Sequence, residues 1–167
     1  LSMAADVIIF DLEDAVSQAN KKIARETVPT ALEESTDSTP DVWVRINPLD
    51  VGGDEDVAAL ADADVTPNSV LVPMIETVDQ LDAVADRFEE TGLESGVIAL
   101  VETATGLTAV EDLAAHPAVS GVVFGAEDFT ADMGIIELED KRYLDHARSR
   151  IAVAGAAADV VAIDTVY

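Results

Sequence analysis

Short apolar segments rich in β-branched residues alternate with helical patterns along the whole chain, and this alternation constrains the fold more than any other feature. Six of these segments are continuously apolar, as is typical of strands buried on both faces of a parallel sheet. They are Val7–Phe10, Val42–Ile46, Ser69–Val72, Val97–Val101, Gly121–Phe124 and Val161–Ile163. The alternation predicts a parallel α/β fold, which is either an open sheet or a barrel that lacks two of its eight strands.

Amphipathic segments lie between several of these strands. The predicted helices are Thr77–Thr91, one that begins near Thr108 and is stopped by Pro117, and Lys141–Ala158. Thr77 and Gln80 resemble a capping box at the start of the first of these helices. Ser35–Pro40 and Asp50–Gly53 are predicted to be loops because of their composition.

The 167 residues have room for one ordinary domain, and no linker divides the chain. We therefore expect a single domain over residues 1–167. The chain begins within a few residues of one strand and stops just after another, which leads us to expect a fragment of a longer protein.

The net charge is strongly acidic, because 34 Asp and Glu oppose 9 Lys and Arg to give a formal −25. Such a field repels phosphate backbones and anionic lipid headgroups, so neither nucleic acid nor a membrane is an expected partner. Acidic residues replace lysine at exposed helix positions, and we expect a cytoplasmic protein of a salt-in halophile. An unusually acidic mesophilic protein is the alternative.

Several kinds of site are excluded by residue type. The chain has no cysteine, which excludes disulfides, thiolate metal sites and a cysteine nucleophile. It has no glycine-rich phosphate loop and no G-x-S-x-G element. His116, before Pro117, and His146, in the middle of the last predicted helix, are predicted to be ordinary surface or C-terminal-turn histidines. We assign Trp43, Met74 and Met133 to packing.

Ionisable or amide side chains follow the predicted strands near their carboxyl ends. In chain order they are Asp11, Glu13, Asp14, Asn47, Glu76, Glu102, Asp128 and Asp164, together with Arg45 within the second strand. The carboxyl ends of parallel strands form the active face of α/β folds. Several carboxylates on one rim favour a hard cation such as Mg²⁺ or Mn²⁺. A single arginine beside such a metal suits an anionic substrate.

Five segments resemble, in order and spacing, the motifs of the citrate lyase β-subunit-like family within the HpcH/HpaI aldolase/citrate lyase superfamily. They are Ala5–Val16, Val44–Pro48, Leu100–Leu107, Phe124–Phe129 and Ala162–Tyr167. The family includes malyl-CoA, methylmalyl-CoA and citramalyl-CoA lyases. The resemblance covers essentially the whole chain, and it implies a (β/α)₈ TIM barrel that uses Mg²⁺.

The resemblance also implies roles for individual residues. Glu102 and Asp128 would ligate the metal, with waters completing its shell. Arg45 would stabilise a developing oxyanion, and Glu13 and Asp14 would hold Arg45 and metal-bound waters. The backbone N–H groups of Gly125, Ala126 and Glu127 would bind the carboxylate of a small 2-oxo acid such as glyoxylate, which together with an acyl-CoA thioester makes up the expected partners.

Family members differ from this chain at both ends. They have a further strand before Asp6, and an eighth strand and a C-terminal segment beyond Tyr167. That segment often covers a neighbouring subunit's site and supplies the catalytic acid or base, so this group is expected to lie outside the present chain. Shared sites also imply a trimer or hexamer. Glu76 is expected to be structural, since the family's usual lysine is replaced by Met74.

Three functions remain open. The first is a Mg²⁺-dependent carbon–carbon lyase of a 3-hydroxyacyl-CoA, whose acyl group the sequence does not identify. The second is a metal-dependent aldolase that acts on free hydroxy-oxo acids, although that branch typically has a histidine where Asp14 stands. The third is a non-catalytic paralogue that binds an acyl-CoA.

Overall fold

The computed structural model describes residues 5–34, 40–135 and 141–165. The chain divides into two compact units, of which unit 1 comprises Leu1–Val72 with Val84–Gly96 and unit 2 comprises Pro73–Ala83 with Val97–Tyr167. The strands are β1 Val7–Asp11, β2 Asp41–Arg45, β3 Ser69–Val72, β4 Gly96–Val101, β5 Val119–Phe124 and β6 Val161–Ile163. The α-helices are α1 Lys21–Glu33, α2 Gly53–Ala61, α3 Val78–Thr91, α4 Ala104–Ala114, α5 Ala126–Asp132 and α6 Asp145–Ala158.

Unit 1 contains a parallel three-stranded arrangement in chain order. β1 pairs with β2, and β2 pairs with β3, each in parallel. The centre of β2 is buried, with Val44 fully shielded from solvent and Trp43 nearly so, which confirms that Trp43 is a core residue. Helices α1 and α2 pack against each other.

Unit 2 repeats this arrangement with β4, β5 and β6, which also pair in parallel and in chain order. Helix α6 packs against β5, β6 and α4. Arg150 on α6 joins the two helices, since its Nε and Nη2 donate to the Glu111 carboxylate over 2.9 and 2.7 Å. The predicted parallel α/β organisation is therefore confirmed within each unit.

Each predicted helix overlaps an observed one, but the predicted and observed first residues differ. α3 begins one residue after Thr77, whose Oγ1 accepts from the N–H of Gln80 while Gln80 Oε1 accepts from the N–H of Thr77, as in a capping box. α4 begins at Ala104 rather than near Thr108, because Thr103 caps it by accepting from the N–H of Gly106. No helix in the described ranges is long and apolar enough to cross a membrane.

Other expectations needed correction or lie outside the described residues. A 3₁₀ turn over Lys141–Leu144 precedes α6, so the last helix is shorter than predicted. The segment Asp50–Gly53 is not simply a loop, because it contains the end of a 3₁₀ turn and the first residue of α2. Of the predicted loop Ser35–Pro40, all but Pro40 lies outside the described residues.

The prediction that every strand is buried on both faces is wrong for β1 and β6. Ile9 in β1 is 46% exposed and Val161 in β6 is 48% exposed, whereas β3 is buried throughout. Among the described strands, the pairings of β1 and β6 are each with one neighbour, β2 and β5 respectively. A strand with a single neighbour leaves part of its side-chain surface uncovered, although its sequence is as apolar as that of a central strand.

Candidate active site

The carboxyl ends of β1 and β2 bring one arginine and three carboxylates together in unit 1. Arg45 Nε donates to Asp11 Oδ1 over 2.9 Å, and Arg45 Nη2 donates to the other oxygen of that carboxylate. Arg45 Nη1 lies 2.7 Å from Glu13 Oε2 and 3.7 Å from Asp14 Oδ2. Asp11 and Arg45 are partners in the parallel register, which permits the two-bond pairing. These four residues form the Arg45 cluster.

Charge and hydrogen bonding keep the central pair of this cluster ionised. Burial by itself raises the pKa of Asp11, but the hydrogen bond from Arg45 and the N–H groups of Glu13 and Ala15 hold it below its usual 3.8. Burial by itself lowers the pKa of Arg45, but the Asp11 hydrogen bond and the charges of Glu13, Asp11 and Asp14 raise it above its ordinary value. The pair therefore remains a fixed positive–negative contact at neutral pH.

The Arg45 cluster includes three of the predicted site residues and one to which the family resemblance assigns no role. Glu13 contacts Arg45, as the resemblance implies, whereas Asp14 is mostly exposed and lies farther away. Asp11 is the closest partner of Arg45. Its signal in the sequence is its position at the end of a predicted strand, but its pairing depends on the register between two strands. The catalytic roles of these residues stay predictions.

Glu102 follows β4 in unit 2, and its carboxylate is oriented by the backbone. The residue is 3% exposed, and its Oε1 accepts from the N–H of Met74 over 2.8 Å. Met74 has a φ of +56°, a left-handed conformation that is uncommon for a residue other than glycine. This conformation accompanies an amide that points at the buried carboxylate. Met74 is itself 41% exposed and Met133 is 49% exposed, so the assignment of both methionines to packing was wrong.

Gly125, which follows β5, approaches Glu102 too closely to carry a side chain. A Cβ added to Gly125 would lie 2.7 Å from Glu102 Cβ and 2.8 Å from Glu102 Oε2. The glycine is therefore required by contact with the carboxylate, not by an unusual φ. The N–H of Gly125 donates to the carbonyl of Val101 over 3.0 Å. That N–H is already engaged, so the predicted contact with an oxo-acid carboxylate is left to Ala126 and Glu127.

Asp128 lies in the first turn of α5 with its side chain exposed. β4 and β5 are hydrogen-bonded neighbours, and Val101 is the partner of Phe124. Glu102 comes one residue after this pair on β4, and Asp128 four residues after it on the β5 side. Both carboxylates therefore follow the carboxyl ends of adjacent parallel strands, and their shared role as metal ligands stays a prediction. Ala126 is buried and Glu127 is exposed.

The residues of unit 2 fit the chemistry of a hard divalent ion. The donors offered by Glu102 and Asp128 are all oxygen, and Mg²⁺ is usually held by one or two carboxylates with waters completing its octahedron. Gly125 leaves the space beside Glu102 Oε2 without a side chain. The described residues contain no group of three or more His, Asp or Glu side chains that could hold a metal.

The two histidines of the chain lie at helices α4 and α6: His116 just after α4, and His146 within α6. His116 Nε2 is 3.1 Å from Asp82 Oδ1, and His116 Nδ1 accepts from the N–H of Ala118, so the ring secures the turn after α4. His146 is exposed in the first turn of α6. That neither histidine takes part in the site stays a prediction.

The whole chain, residues 1–167, matches the family model described as HpcH/HpaI aldolase/citrate lyase. The chain belongs to this family. The predicted family resemblance is therefore confirmed.

Relatives within this family act on CoA esters or citrate, according to their names. The chain is 33% identical over 166 residues to a (3S)-malyl-CoA thioesterase of Cereibacter sphaeroides, covering 99% of this chain and 56% of the relative. It is 36% identical over 172 residues to citrate lyase subunit beta of Leuconostoc mesenteroides, with coverages of 98% and 56%. It is 32% identical over 182 residues to the mitochondrial citramalyl-CoA lyase of rat, with coverages of 99% and 54%. The chain thus spans about half the length of the curated relatives it matches.

Solved structures of relatives share the fold and contain magnesium. The citrate lyase beta subunit of Mycobacterium tuberculosis complexed with oxaloacetate and magnesium superposes with a TM-score of 0.80 at 32% identity, covering 98% of this chain and 70% of that one. A structure of the M. tuberculosis protein CitE with magnesium, acetoacetate and coenzyme A gives the same TM-score and identity over 98% and 58%. The expected Mg²⁺ cofactor is thereby confirmed for the family, and the parallel α/β fold is consistent with part of a TIM-type barrel.

Proposed function

We propose that the full-length protein is a Mg²⁺-dependent carbon–carbon lyase of a 3-hydroxyacyl-CoA such as malyl-CoA, methylmalyl-CoA or citramalyl-CoA. The products would be an acyl-CoA and a 2-oxo acid, glyoxylate or pyruvate. The observation that carries the proposal is the buried Glu102 carboxylate, which the Met74 amide orients and Gly125 makes room for. Magnesium in structures of relatives and the names of CoA-ester lyases among them support it.

In this proposal Glu102 and Asp128 hold the metal. Mg²⁺ bound there supplies Lewis acidity toward the carbonyl of the 2-oxo acid. The fixed hydrogen bond from Met74 to Glu102 Oε1 holds that carboxylate in one orientation, so it need not reorganise when the substrate arrives. The N–H groups of Ala126 and Glu127 remain the proposed binders of the oxo-acid carboxylate.

Arg45 stabilises the negative charge that develops when the carbon–carbon bond breaks. Cleavage removes the proton of the 3-hydroxyl, breaks the C2–C3 bond, and leaves the electron pair on the thioester enolate, which then takes up a proton. A guanidinium has five N–H donors, and the three short contacts to Asp11 and Glu13 orient it without using all five. A preorganised donor of this kind typically contributes about 10²–10³ in kcat.

Other parts of the protein complete the proposed enzyme. We propose that these residues belong to a complete (β/α)₈ barrel and that residues 1–167 are part of this single domain. The acid or base that moves the hydroxyl proton would come from a C-terminal segment of a neighbouring subunit, which accounts for the proposed trimer or hexamer. The cytoplasm of a salt-in halophile remains the proposed location.

Hydrolysis of the thioester is a second candidate function. Three relatives that are 32–34% identical to this chain are named (3S)-malyl-CoA thioesterases, so the family includes proteins named for hydrolysis as well as for cleavage. An oriented arginine would stabilise the oxyanion of thioester hydrolysis as well as that of an enolate. An aldolase on free hydroxy-oxo acids and a non-catalytic acyl-CoA-binding paralogue are the remaining alternatives.

The products formed from malyl-CoA by the full-length protein distinguish these functions. With Mg²⁺ in molar KCl, the lyase releases equal amounts of acetyl-CoA and glyoxylate. A thioesterase instead releases malate and free CoA, and either result is read by chromatography of the CoA species. Release of malate and free CoA without glyoxylate would refute the lyase proposal. Cleavage of free hydroxy-oxo acids with no reaction on CoA esters would favour the aldolase. Binding of malyl-CoA, methylmalyl-CoA and citramalyl-CoA without turnover of any of them would favour the paralogue.

A further inference from the structure

Lys21, the first residue of α1, is a buried lysine whose ammonium donates to three neutral acceptors. It is 8% exposed. Its Nζ donates to the carbonyl of Leu12 over 2.6 Å, to the carbonyl of Glu13 over 2.7 Å, and to Asn47 Oδ1 over 2.8 Å. Because lysine is almost never fully buried unless it is paired, a buried ammonium held by neutral oxygens is an unusual feature of this fold.

The three acceptors match the bonding capacity of the ammonium. A protonated lysine has three donors and no acceptor, and each donor here has an oxygen within hydrogen-bond distance. Burying a charge is unfavourable unless its hydrogen bonds are satisfied. Lys21 meets this requirement because two main-chain carbonyls and one side-chain amide oxygen accept hydrogen bonds from its Nζ.

A second buried charge extends this network through Asn47. Asn47 Nδ2 donates to the carbonyl of Leu12 over 3.0 Å and to Asp56 Oδ2 over 2.6 Å. Asp56 is fully buried, and its other oxygen accepts from Arg25 Nε over 2.6 Å. Helices α1 and α2 are therefore tied to the turn that follows β1.

The carbonyls bound by Lys21 belong to the turn that carries the Arg45 cluster. Asp11 precedes Leu12 directly, and Glu13 supplies both a carbonyl to Lys21 and a carboxylate to Arg45. The N–H of Glu13 donates to Asp11 Oδ1, so the turn also fixes the second carboxylate. The buried ammonium of Lys21 therefore holds the backbone that carries these carboxylates, through its hydrogen bonds to the Leu12 and Glu13 carbonyls.

We propose that Lys21 is a positioning residue, whose ammonium fixes the Leu12–Glu13 backbone so that Asp11 and Glu13 hold Arg45 in its reactive orientation. Lys21 does not touch substrate or metal in this proposal. Its contribution to turnover rests on the proposed function of Arg45, whereas its effect on the geometry of Arg45 does not.

The test compares three variants of the full-length protein. Lys21→Met keeps the aliphatic stem and removes the three donors. Lys22→Met makes the same change at the neighbouring exposed lysine. Val28→Ala truncates a buried side chain on the same helix, away from the turn, and serves as a control for lost stability.

The first readout is the rate at which phenylglyoxal modifies Arg45, followed by mass spectrometry of its peptide. We expect Lys21→Met to accelerate this modification at least fivefold, because Arg45 is released from Asp11 and Glu13. Lys22→Met and Val28→Ala leave the rate within twofold. The second readout is kcat with malyl-CoA, measured well below the Tm of each variant. We expect kcat to fall at least tenfold in Lys21→Met and not in the other two variants.

Each outcome supports or overturns the inference. An unchanged modification rate at Arg45 in folded Lys21→Met overturns it, whatever the activity, and so does equal acceleration in Val28→Ala. Accelerated modification in a protein without lyase activity supports the positioning and refutes the proposed function instead. If Lys21→Met does not fold, Asn47→Ser removes one acceptor and is expected to accelerate the modification in the same direction, and its failure to do so overturns the inference.

Discussion

At the scale of single residues, the candidate site depends on backbone geometry as much as on side-chain type. Arg45, Glu13 and Glu102 could be identified from the sequence because they lie at or just after the carboxyl ends of predicted parallel strands, within segments that resemble motifs of the family. The Met74 amide could not be identified in this way, because a main-chain donor has no signature in the sequence. The direction of this N–H depends on the φ of +56° at Met74. Asp11 could be placed at a strand end, but its pairing with Arg45 depends on a register between residues 34 positions apart.

Gly125→Ala tests whether the space beside Glu102 is needed for the metal. The added methyl group would overlap the Glu102 side chain, so we expect the dissociation constant for Mg²⁺ to rise at least roughly tenfold, as measured by calorimetry. Gly121→Ala is the matched control, because its methyl group would crowd Val161 and Ile98 in the same unit without touching Glu102. It should lower Tm while leaving Mg²⁺ affinity within twofold. Equal losses of affinity in both variants would contradict this assignment.

The lowered pKa of Asp11 predicts an acid-dependent loss of stability. A carboxylate whose pKa is lower in the folded than in the unfolded protein stabilises the fold above its ordinary value, here 3.8, and this contribution is lost as pH falls through the lower folded value. We expect Asp11→Asn to reduce the free energy of unfolding at pH 6 and to have progressively less effect as pH falls below 3.8. Urea unfolding in molar KCl measures this difference.

Asp14→Asn is the matched control for that experiment. Asp14 is largely exposed and lies 3.7 Å from Arg45, so its removal should change the free energy of unfolding by less than about 1 kcal/mol at either pH. If Asp11→Asn lowers the free energy of unfolding by the same amount at pH 6 and well below pH 3.8, the ion pair with Arg45 is not the cause of that loss.

At the scale of elements, strand positions were predictable and helix starts were less so. Each predicted strand overlaps an observed one, since short, continuously apolar segments rich in β-branched residues favour strands over helices. The sequence pattern places α4 about four residues late because Thr105 and Gly106 have weak helix propensity, whereas the Thr103 cap compensates for them. The exposure of β1 and β6 could not be read from composition, because it depends on which strands lie beside them.

The capping box of α3 gives a prediction at this scale. Thr77→Ala removes the Oγ1 acceptor from the first turn, and we expect a loss of about 1 kcal/mol in the free energy of unfolding. Thr27→Ala is the control, because Thr27 lies within α1 and its exposed hydroxyl returns to the Ile23 carbonyl. It should change stability by less than about 0.5 kcal/mol. Urea unfolding of the full-length proteins would contradict the prediction if the two variants were equally stable.

At the scale of the whole molecule, charge is the property that the sequence predicts most directly. A formal charge of −25 on 167 residues is self-repulsive at low ionic strength, and molar salt screens this repulsion over a few ångströms. We expect Tm to rise by at least about 10 °C between 0.1 M and 3 M KCl, measured by circular dichroism. Equal melting temperatures in both salts would contradict the proposal of a salt-in cytoplasm and favour the acidic mesophilic alternative.

In the proposed enzyme, Glu102 holds the metal on which carbon–carbon cleavage depends. The most direct test is the rate of glyoxylate release from malyl-CoA by the full-length protein, with Mg²⁺ and with EDTA, in Glu102→Gln and in Glu76→Gln. Glu76→Gln makes the same chemical change in the same unit at a residue that we expect to be structural. We predict that EDTA abolishes release, that Glu102→Gln lowers it at least roughly 100-fold, and that Glu76→Gln retains it. Near-normal, EDTA-sensitive release by Glu102→Gln would refute the role of Glu102 as a metal ligand.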